Sequence, residues 1–214
     1  MEHIMNQLTV RGTLASPPEF SHENHGRSFY RFTLKVPRLS SAIDVLPVIA
    51  GAELMERISP EEKCMITVTG QVRSHNIRID GKRKLLIFIF ATDICFEDGE
   101  PRNEISLEGI LCRDPVFRRT PLGREICDVM LAVPRGARRT DHIPCILWGQ
   151  TARHISSCKT GDTVSIFGRL QSREYTKLTE AGPVRKTAYE VSALMGEILT
   201  DGTASCDQIC SVIE

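Results

Sequence analysis

The second half of the chain alternates apolar and polar positions with the two-residue period that is typical of β-strands. We predict strands at five segments: 104–111, 125–134, 142–148, 163–175 and 186–194. Residues 149–158 instead have helical spacing, and they predict a short helix between the third and fourth strands. Five strands with one helix in that place is the order of an OB-fold, a small barrel of β-strands.

The first half repeats this pattern at an offset of 97 residues, so that segment 6–20 aligns with segment 103–117. The same offset aligns "LKVPR" with "LAVPR", which end at Arg38 and Arg135. A slip of one residue then matches glycines near the third strand and aligns Ala50 with Trp148. The chain is therefore predicted to be all-β, with two tandem OB-fold barrels.

The unit boundaries follow from the repeat and from a polar segment with Gly and Pro near residues 96–103, which suits a linker. We predict a first OB-fold at 1–98, a second at 103–200 and a short C-terminal tail at 201–214. Each unit is long enough to bury a core of its own.

The strand at 142–148 ends at Trp148, the single tryptophan of the chain. Because side chains alternate across a strand, one uniformly apolar set is predicted to face the core, namely Ile143, Cys145 and Leu147. Trp148 and His142 fall on the opposite face. Two interpretations stay open for the ring: it is covered by the helix or a partner subunit, or it is a flat surface for stacking.

Charge is distributed unevenly although the net charge is zero. Residues 1–100 hold 12 Lys and Arg against 13 Asp and Glu, whereas residues 101–200 hold 15 against 11. The last 14 residues add three acidic side chains. The second half is therefore the basic half, which favours an anionic partner there.

The N-terminal segment has neither the basic nor the apolar region of a signal peptide, and no apolar run approaches the ~20 residues of a membrane span. We therefore expect a cytoplasmic protein without membrane contact. The eight cysteines are scattered without a CxxC pair, and the histidines lack ligand spacing. No metal, no cofactor and no catalytic residue are expected, so we predict that the chain is not an enzyme.

Basic residues gather in the predicted loops and hairpins, beside aromatic side chains at Trp148 and Tyr175. Cations that follow phosphates and flat rings that stack on bases are what a single nucleic-acid strand requires. The candidate cations of the second unit are Arg118, Arg119, Arg135, Arg138, Arg139, Arg173, Lys177, Arg185 and Lys186. Those of the first unit lie in its last hairpin: Arg78, Lys82, Arg83 and Lys84.

Three motifs in the second unit, at 103–124, 143–153 and 159–175, resemble the bacterial single-stranded DNA-binding proteins (SSB). By this resemblance Trp148 and Tyr175 fall on positions that stack bases, and Arg173 on a basic position beside them. His142 falls where the family often has a tryptophan. The resemblance implies a non-catalytic, sequence-independent single-stranded DNA-binding protein of replication, recombination or repair.

The first unit lacks the stacking rings, because Ala50 and Ile77 align with Trp148 and Tyr175. The second OB-fold is therefore expected to carry most of the base stacking. Family members with two OB-folds per chain form dimers, which implies a homodimer with four OB-folds and contacts with replication or repair proteins. The alternative is a degenerate tandem OB protein that acts mainly as an assembly module, with weak or no DNA binding.

Overall fold

The computed structural model of the chain describes residues 5–56, 65–79, 81–96, 99–136, 139–179 and 182–199. The first half contains β1 (Asn6–Leu14), β2 (Glu19–Asn24), β3 (Arg27–Pro37), β4 (Ile43–Gly51), α1 (Ala52–Met55), β5 (Met65–Ile79) and β6 (Lys82–Phe96). The second half contains β7 (Arg102–Leu111), β8 (Val116–Arg119), β9 (Glu125–Pro134), β10 (Thr140–Trp148), α2 (Gly149–Ile155), β11 (Thr163–Thr179) and β12 (Gly182–Leu199).

These strands form one sheet in the order β2-β3-β4-β6-β5-β1-β7-β11-β12-β10-β9-β8. Additional pairings of β1 with β3 and of β7 with β9 curl each half toward a barrel. The fold prediction of two tandem OB-folds, each with its helix after the third predicted strand, is confirmed. One short strand per half was missed. All four residues of β8 are exposed, so this strand has no buried face to produce an alternating pattern.

The two halves are joined through β1 and β7, which pair antiparallel from Asn6 opposite Leu107 to Arg11 opposite Arg102. Both strands bury alternate side chains, with Leu8 on β1 among the fully buried residues. The apolar core is consequently one continuous cluster with members from both halves.

Two glycines permit the long hairpins, β5–β6 in the first half and β11–β12 in the second, to bend. The registers of β5 with β6 and of β11 with β12 shift at Gly70 and Gly168 respectively. A Cβ atom on Gly70 would collide with the carbonyl oxygen of Phe90, and one on Gly168 with that of Ser192. Only glycine allows the paired strands to approach so closely at these bulges.

The predicted core face of β10 is confirmed, since Ile143, Cys145 and Leu147 are all buried. The alignment of Ala50 with Trp148, however, is wrong. Ala50 and Leu147 are both fully buried, each is the next-to-last residue of its strand, and each strand is followed directly by its helix. The offset of 97 therefore continues to the strand end. Matching the glycines by identity had introduced a slip that the strand geometry does not contain.

The helices are short, and α2 ends at Ile155 rather than at residue 158. It buries Ala152 and Ile155 against the core. Within the described ranges, no helix combines the length and the apolar character needed to cross a membrane.

Candidate nucleic-acid interface

Trp148 is the last residue of β10, and its side chain is 36% exposed. Its indole Nε1 donates a hydrogen bond to Ser192 Oγ on the neighbouring β12, at 3.1 Å. Its cross-strand partner Ile126 is 2% exposed. The ring is therefore fixed by a polar contact and by the apolar strand next to it, while part of it stays open to solvent. A ring held in this way can stack on a base with little loss of side-chain entropy.

His142 is exposed on the same face of β10 as Trp148. Six residues separate the two along the strand, which corresponds to about 20 Å at the rise of an extended chain. The backbone N–H of His142 donates to Ser74 Oγ at 2.8 Å, so this end of β10 contacts the first half. The two side chains thus lie at opposite ends of one strand and do not form a single stacking site.

Tyr175 lies on β11, is 39% exposed, and stands opposite Lys186 of β12. The guanidinium carbon of Arg173 lies 5.8 Å from the centre of the Tyr175 ring. Arg173 Nε is also 3.5 Å from Glu190 Oε1, so its charge is partly balanced within the sheet. The tyrosine and the arginine are adjacent, as the sequence predicted.

A groove with a cavity volume of about 770 Å³ runs between the two halves. Its first-half wall comes from β2, β3, β4 and β6, and its second-half wall from β9 to β12. The rings and cations on it include Phe88, Tyr175, Tyr189, Arg31, Arg83 and Lys84. Trp148 does not line this groove. The structure therefore brings Tyr175 together with the first-half cations Arg83 and Lys84, and not with Trp148.

The long hairpins reach across the molecule because buried carboxylates hold them there. Asp141 of β10 is fully buried, and its Oδ1 accepts hydrogen bonds from the backbone N–H of Ser74 at 2.7 Å and from its hydroxyl at 3.3 Å. Asp44 of β4, also fully buried, accepts the equivalent bond from the backbone N–H of Ser172 at 2.7 Å. We call these two contacts the carboxylate pins. Each pin fixes one half's hairpin to the other half.

Several predicted arginines form ion pairs. Arg118 Nε donates to Asp128 at 2.6 Å, and this hydrogen bond raises the pKa of the arginine. Arg119 pairs with Glu125 at 3.0 Å, and both arginines are more than half exposed. Arg135 lies 3.6 Å from the buried Asp141 of a carboxylate pin. Because both guanidinium groups are exposed, Arg118 and Arg119 can also reach a phosphate.

The other predicted cations lie on loops and hairpins and are exposed. None of them forms an ion pair with another residue in the described part of the chain. These cations are Arg139, Lys177, Arg185, Lys186, Arg78, Lys82, Arg83 and Lys84. Arg138 lies outside the described residues, as does the predicted tail at 201–214. The two hairpin tips therefore carry cations whose charge is available to a polyanion.

Sequence reasoning missed Arg73, whose guanidinium carbon lies 3.5 Å from the centre of the Phe90 ring. Burial lowers the pKa of Arg73 to about 10, and the charge of the nearby Arg135 acts in the same direction. The signal that could have revealed this pair was the alternation of Phe88 and Phe90 along β6, which places both rings on one face. Among the described residues, no group of three His, Cys, Asp or Glu side chains is placed to hold a metal ion.

The second half matches the model of the single-strand binding protein family over residues 102–198. Single-stranded DNA-binding protein B of Bacillus subtilis is 36% identical over 80 residues, which cover 34% of this chain and 71% of that protein. Single-stranded DNA-binding protein 1 of Lactococcus lactis is 38% identical over 80 residues and is covered over 53% of its length. The chain thus spans just over two thirds of the first relative and about half of the second.

The likeness in fold extends over both halves. The crystal structure of the wild-type single-stranded DNA binding protein from Thermus aquaticus superposes with a TM-score of 0.76 and 24% identity, over 95% of this chain and 97% of that one. This similarity shows the shared fold of the tandem barrels. The family match and the Bacillus relative lead to one conclusion: this chain belongs to the family of bacterial single-strand binding proteins.

Proposed function

We propose that this protein binds single-stranded DNA without reading its sequence and without catalysing a reaction. The observation that carries the proposal is Trp148, a part-exposed ring whose Nε1 is bound to Ser192. Every base has a flat face, so a fixed ring stacks on all of them with similar strength. The family membership and the names of the relatives support the same function.

Exposed cations supply the second part of binding. Lys177, Arg185 and Lys186 lie on the β11–β12 hairpin, and a comparable set lies on the β5–β6 hairpin. Contacts between such side chains and phosphates release counterions, give most of the affinity and make it fall with salt. A duplex offers phosphates but no accessible base faces, so it would use only this part of the site.

The roles of the two units belong to the same proposal. The second OB-fold, at 103–200, contributes Trp148 and Tyr175, and we assign most of the base stacking to it. The first OB-fold, at 1–98, contributes cations to the groove in which Tyr175 lies. We further propose that the protein acts in the cytoplasm in replication, recombination or repair, as a homodimer that brings four OB-folds together.

The test is a titration of fluorescently labelled oligo(dT) with the full chain, followed by anisotropy at several salt concentrations. The proposal predicts tight binding at low salt, a linear fall of log affinity with log salt, and weaker binding of a duplex of the same length. The absence of any anisotropy change at low salt would overturn it and favour the role of an assembly module.

A further inference from the structure

The strand registers show which first-half residues stand where the second half has its stacking ring. Trp148 lies opposite Ile126 in the pairing of β10 with β9. In the first half, the pairing of β4 with β3 places Gly51 opposite Phe29. The offset of 97 therefore puts Gly51 in the place of Trp148 and Phe29 in the place of Ile126. In the first half, the end of β4 therefore carries no ring, whereas the neighbouring strand β3 carries the ring of Phe29.

The position of Ser192, which accepts the hydrogen bond from Trp148, also differs between the halves. The parallel pairing of β10 with β12 places Ser192, the acceptor of the Trp148 hydrogen bond, opposite Ile146. The pairing of β4 with β6 places Phe90 opposite Ile49, the counterpart of Ile146 at the same offset. A small polar residue that anchors an indole in one half is thus replaced by a second ring in the other.

These first-half rings form a connected cluster. The Phe29 ring lies 6.0 Å from that of Phe90, and its other neighbour is His22 on β2. The imidazole of His22 stacks on Phe29 with 5.0 Å between ring centres and an angle of 12° between planes. His22 is exposed and Phe29 is partly exposed. The guanidinium of Arg73 covers Phe90.

We propose that His22 and Phe29, backed by Phe90, are a nucleobase-stacking platform of the first half. The platform replaces the missing strand-end ring with rings on the neighbouring strands. It rests on the proposed function, since its ligand is a base of the same single strand. Because the rings of His22 and Phe29 are stacked nearly parallel and His22 is exposed, a base can continue the stack without rearrangement of the sheet.

The charges around the platform suit a nucleic-acid strand. Arg31, two residues from Phe29 on the same face of β3, is exposed and pairs with Glu19 at 3.2 Å. Glu53 lies over the Cα of Gly51, where it pairs with Arg27 at 2.7 Å. Both members of this second pair are more than half exposed, so it opens at little cost. A base that approaches Gly51 displaces Glu53 and leaves Arg27 for a phosphate.

The experiment uses the full chain and two labelled oligonucleotides, of roughly 8 and 30 thymidines, because one OB-fold occupies about 4 to 16 nucleotides. His22→Ala and Phe29→Leu are measured singly, with Phe96→Leu as the control, since Phe96 is an exposed phenylalanine at the far end of β6. His22→Ala alters an exposed side chain, so it keeps the test informative if Phe29→Leu folds poorly. Glu53→Gln removes the negative charge beside the platform.

We expect His22→Ala and Phe29→Leu to weaken binding of the long oligonucleotide by roughly 5- to 150-fold, the range for loss of one stacked base. Glu53→Gln should strengthen it, and Phe96→Leu should leave it unchanged. The short oligonucleotide, which the second half can hold alone, should respond much less. An oligonucleotide that carries 5-iodouracil should cross-link under light to His22 or Phe29 in the wild-type chain.

Two failures are distinguishable. If the wild-type chain binds neither oligonucleotide, the proposed function fails, and the platform with it. If the wild-type chain binds both, while His22→Ala and Phe29→Leu bind the long one as tightly and no cross-link reaches either residue, the platform is disproved and the proposed function stands.

Discussion

At the scale of single residues, the proposed function depends on how the ring of Trp148 is held. The alternation along β10 was enough to predict that Trp148 leaves the core face, because the set on the other face is uniformly apolar. The hydrogen bond to Ser192 could not be predicted in this way, since Trp148 and Ser192 are 44 positions apart in the sequence. That bond decides whether the exposed ring is mobile or fixed.

Replacement of Trp148 by alanine should weaken binding of oligo(dT) by about 1 to 3 kcal/mol, because one stacked base is lost. Stability should change far less than for a core residue, since the side chain is more than a third exposed. Trp148→Phe should retain most of the affinity. Anisotropy titrations and urea denaturation of the three proteins provide the comparison. Equal affinity of the alanine and wild-type chains would contradict the assignment.

The cysteines should differ widely in reactivity. Burial raises the pKa of Cys127 to about 11 and also raises the pKa of Cys145, whereas Cys95 is exposed. A raised pKa reduces the thiolate fraction at neutral pH, and burial blocks the reagent. Alkylation followed by peptide mass spectrometry should therefore modify Cys95 well before the other two. Comparable rates at Cys127 and Cys95 in the folded protein would show that the part of the core around Cys127 opens easily.

At the scale of elements, the two long hairpins and their carboxylate pins organise the interface. Each hairpin belongs to one half and is bonded through its stem to the other, at Ser74 with Asp141 and at Ser172 with Asp44. The pins explain why Tyr175 lines a groove with first-half residues. They also hold Tyr175 near the first-half cations Arg83 and Lys84 in that groove.

Asp141→Ala should destabilise the protein by about 3 kcal/mol, because it leaves the backbone N–H of Ser74 without its acceptor and Arg135 without its partner. Ser74→Ala, which removes only the hydroxyl, should cost about 1 kcal/mol. A double-mutant cycle read by chemical denaturation should give a coupling of at least ~0.5 kcal/mol. Strict additivity would show that the contact between the Ser74 hydroxyl and Asp141 adds no stability to the pin.

The hairpin cations should determine the salt dependence. Replacement of Lys82, Arg83 and Lys84 by glutamine should lower the slope of log affinity against log salt by up to about 2, at roughly 0.7 per phosphate contact. The matched triple change at Lys177, Arg185 and Lys186 on the other hairpin is the comparison. An unchanged slope for the first triple variant would show that its hairpin does not contact DNA.

Most strands and the fold class were predictable from the alternation of apolar residues and from the repeat. The short exposed strand, the alignment at the end of β4 and the groove were not. The strand β8 escaped prediction because it buries no residue. The alignment of Ala50 with Trp148 is wrong because it matches Gly51 with Gly149 by identity. The alternation of buried residues along β4 instead matches Ala50 with Leu147. The groove between the two halves could not be predicted from the sequence. The carboxylate pins that hold the hairpins there are contacts between residues 67 and 128 positions apart.

At the scale of the whole molecule, the two barrels form one continuous body. The pairing of β1 with β7, the two carboxylate pins and the shared core all cross the boundary between the halves. Separate barrels on a free linker would have none of these contacts. The arrangement fixes the positions of both sets of rings and cations relative to one another, so the single-stranded DNA of the proposed function would meet a preformed path.

The chain should therefore unfold in a single cooperative transition. Trp148 fluorescence reports only on the second half, whereas circular dichroism reports on both, so the two heat-unfolding curves should coincide. Arg11→Pro, placed within the β1–β7 register, should lower the common midpoint because it removes a backbone donor from a central strand. Two separate transitions in the unaltered chain would show that the barrels fold independently.

The most direct test of the central claim is a titration of the intrinsic fluorescence with oligo(dT) at low salt. Trp148 is the single tryptophan, so the signal reports on one ring in one place. Stacking of a base on that ring predicts quenching that saturates with oligonucleotide and is reversed by added salt. Emission that stays constant while the oligonucleotide is fully bound would contradict the claim that Trp148 is the stacking ring.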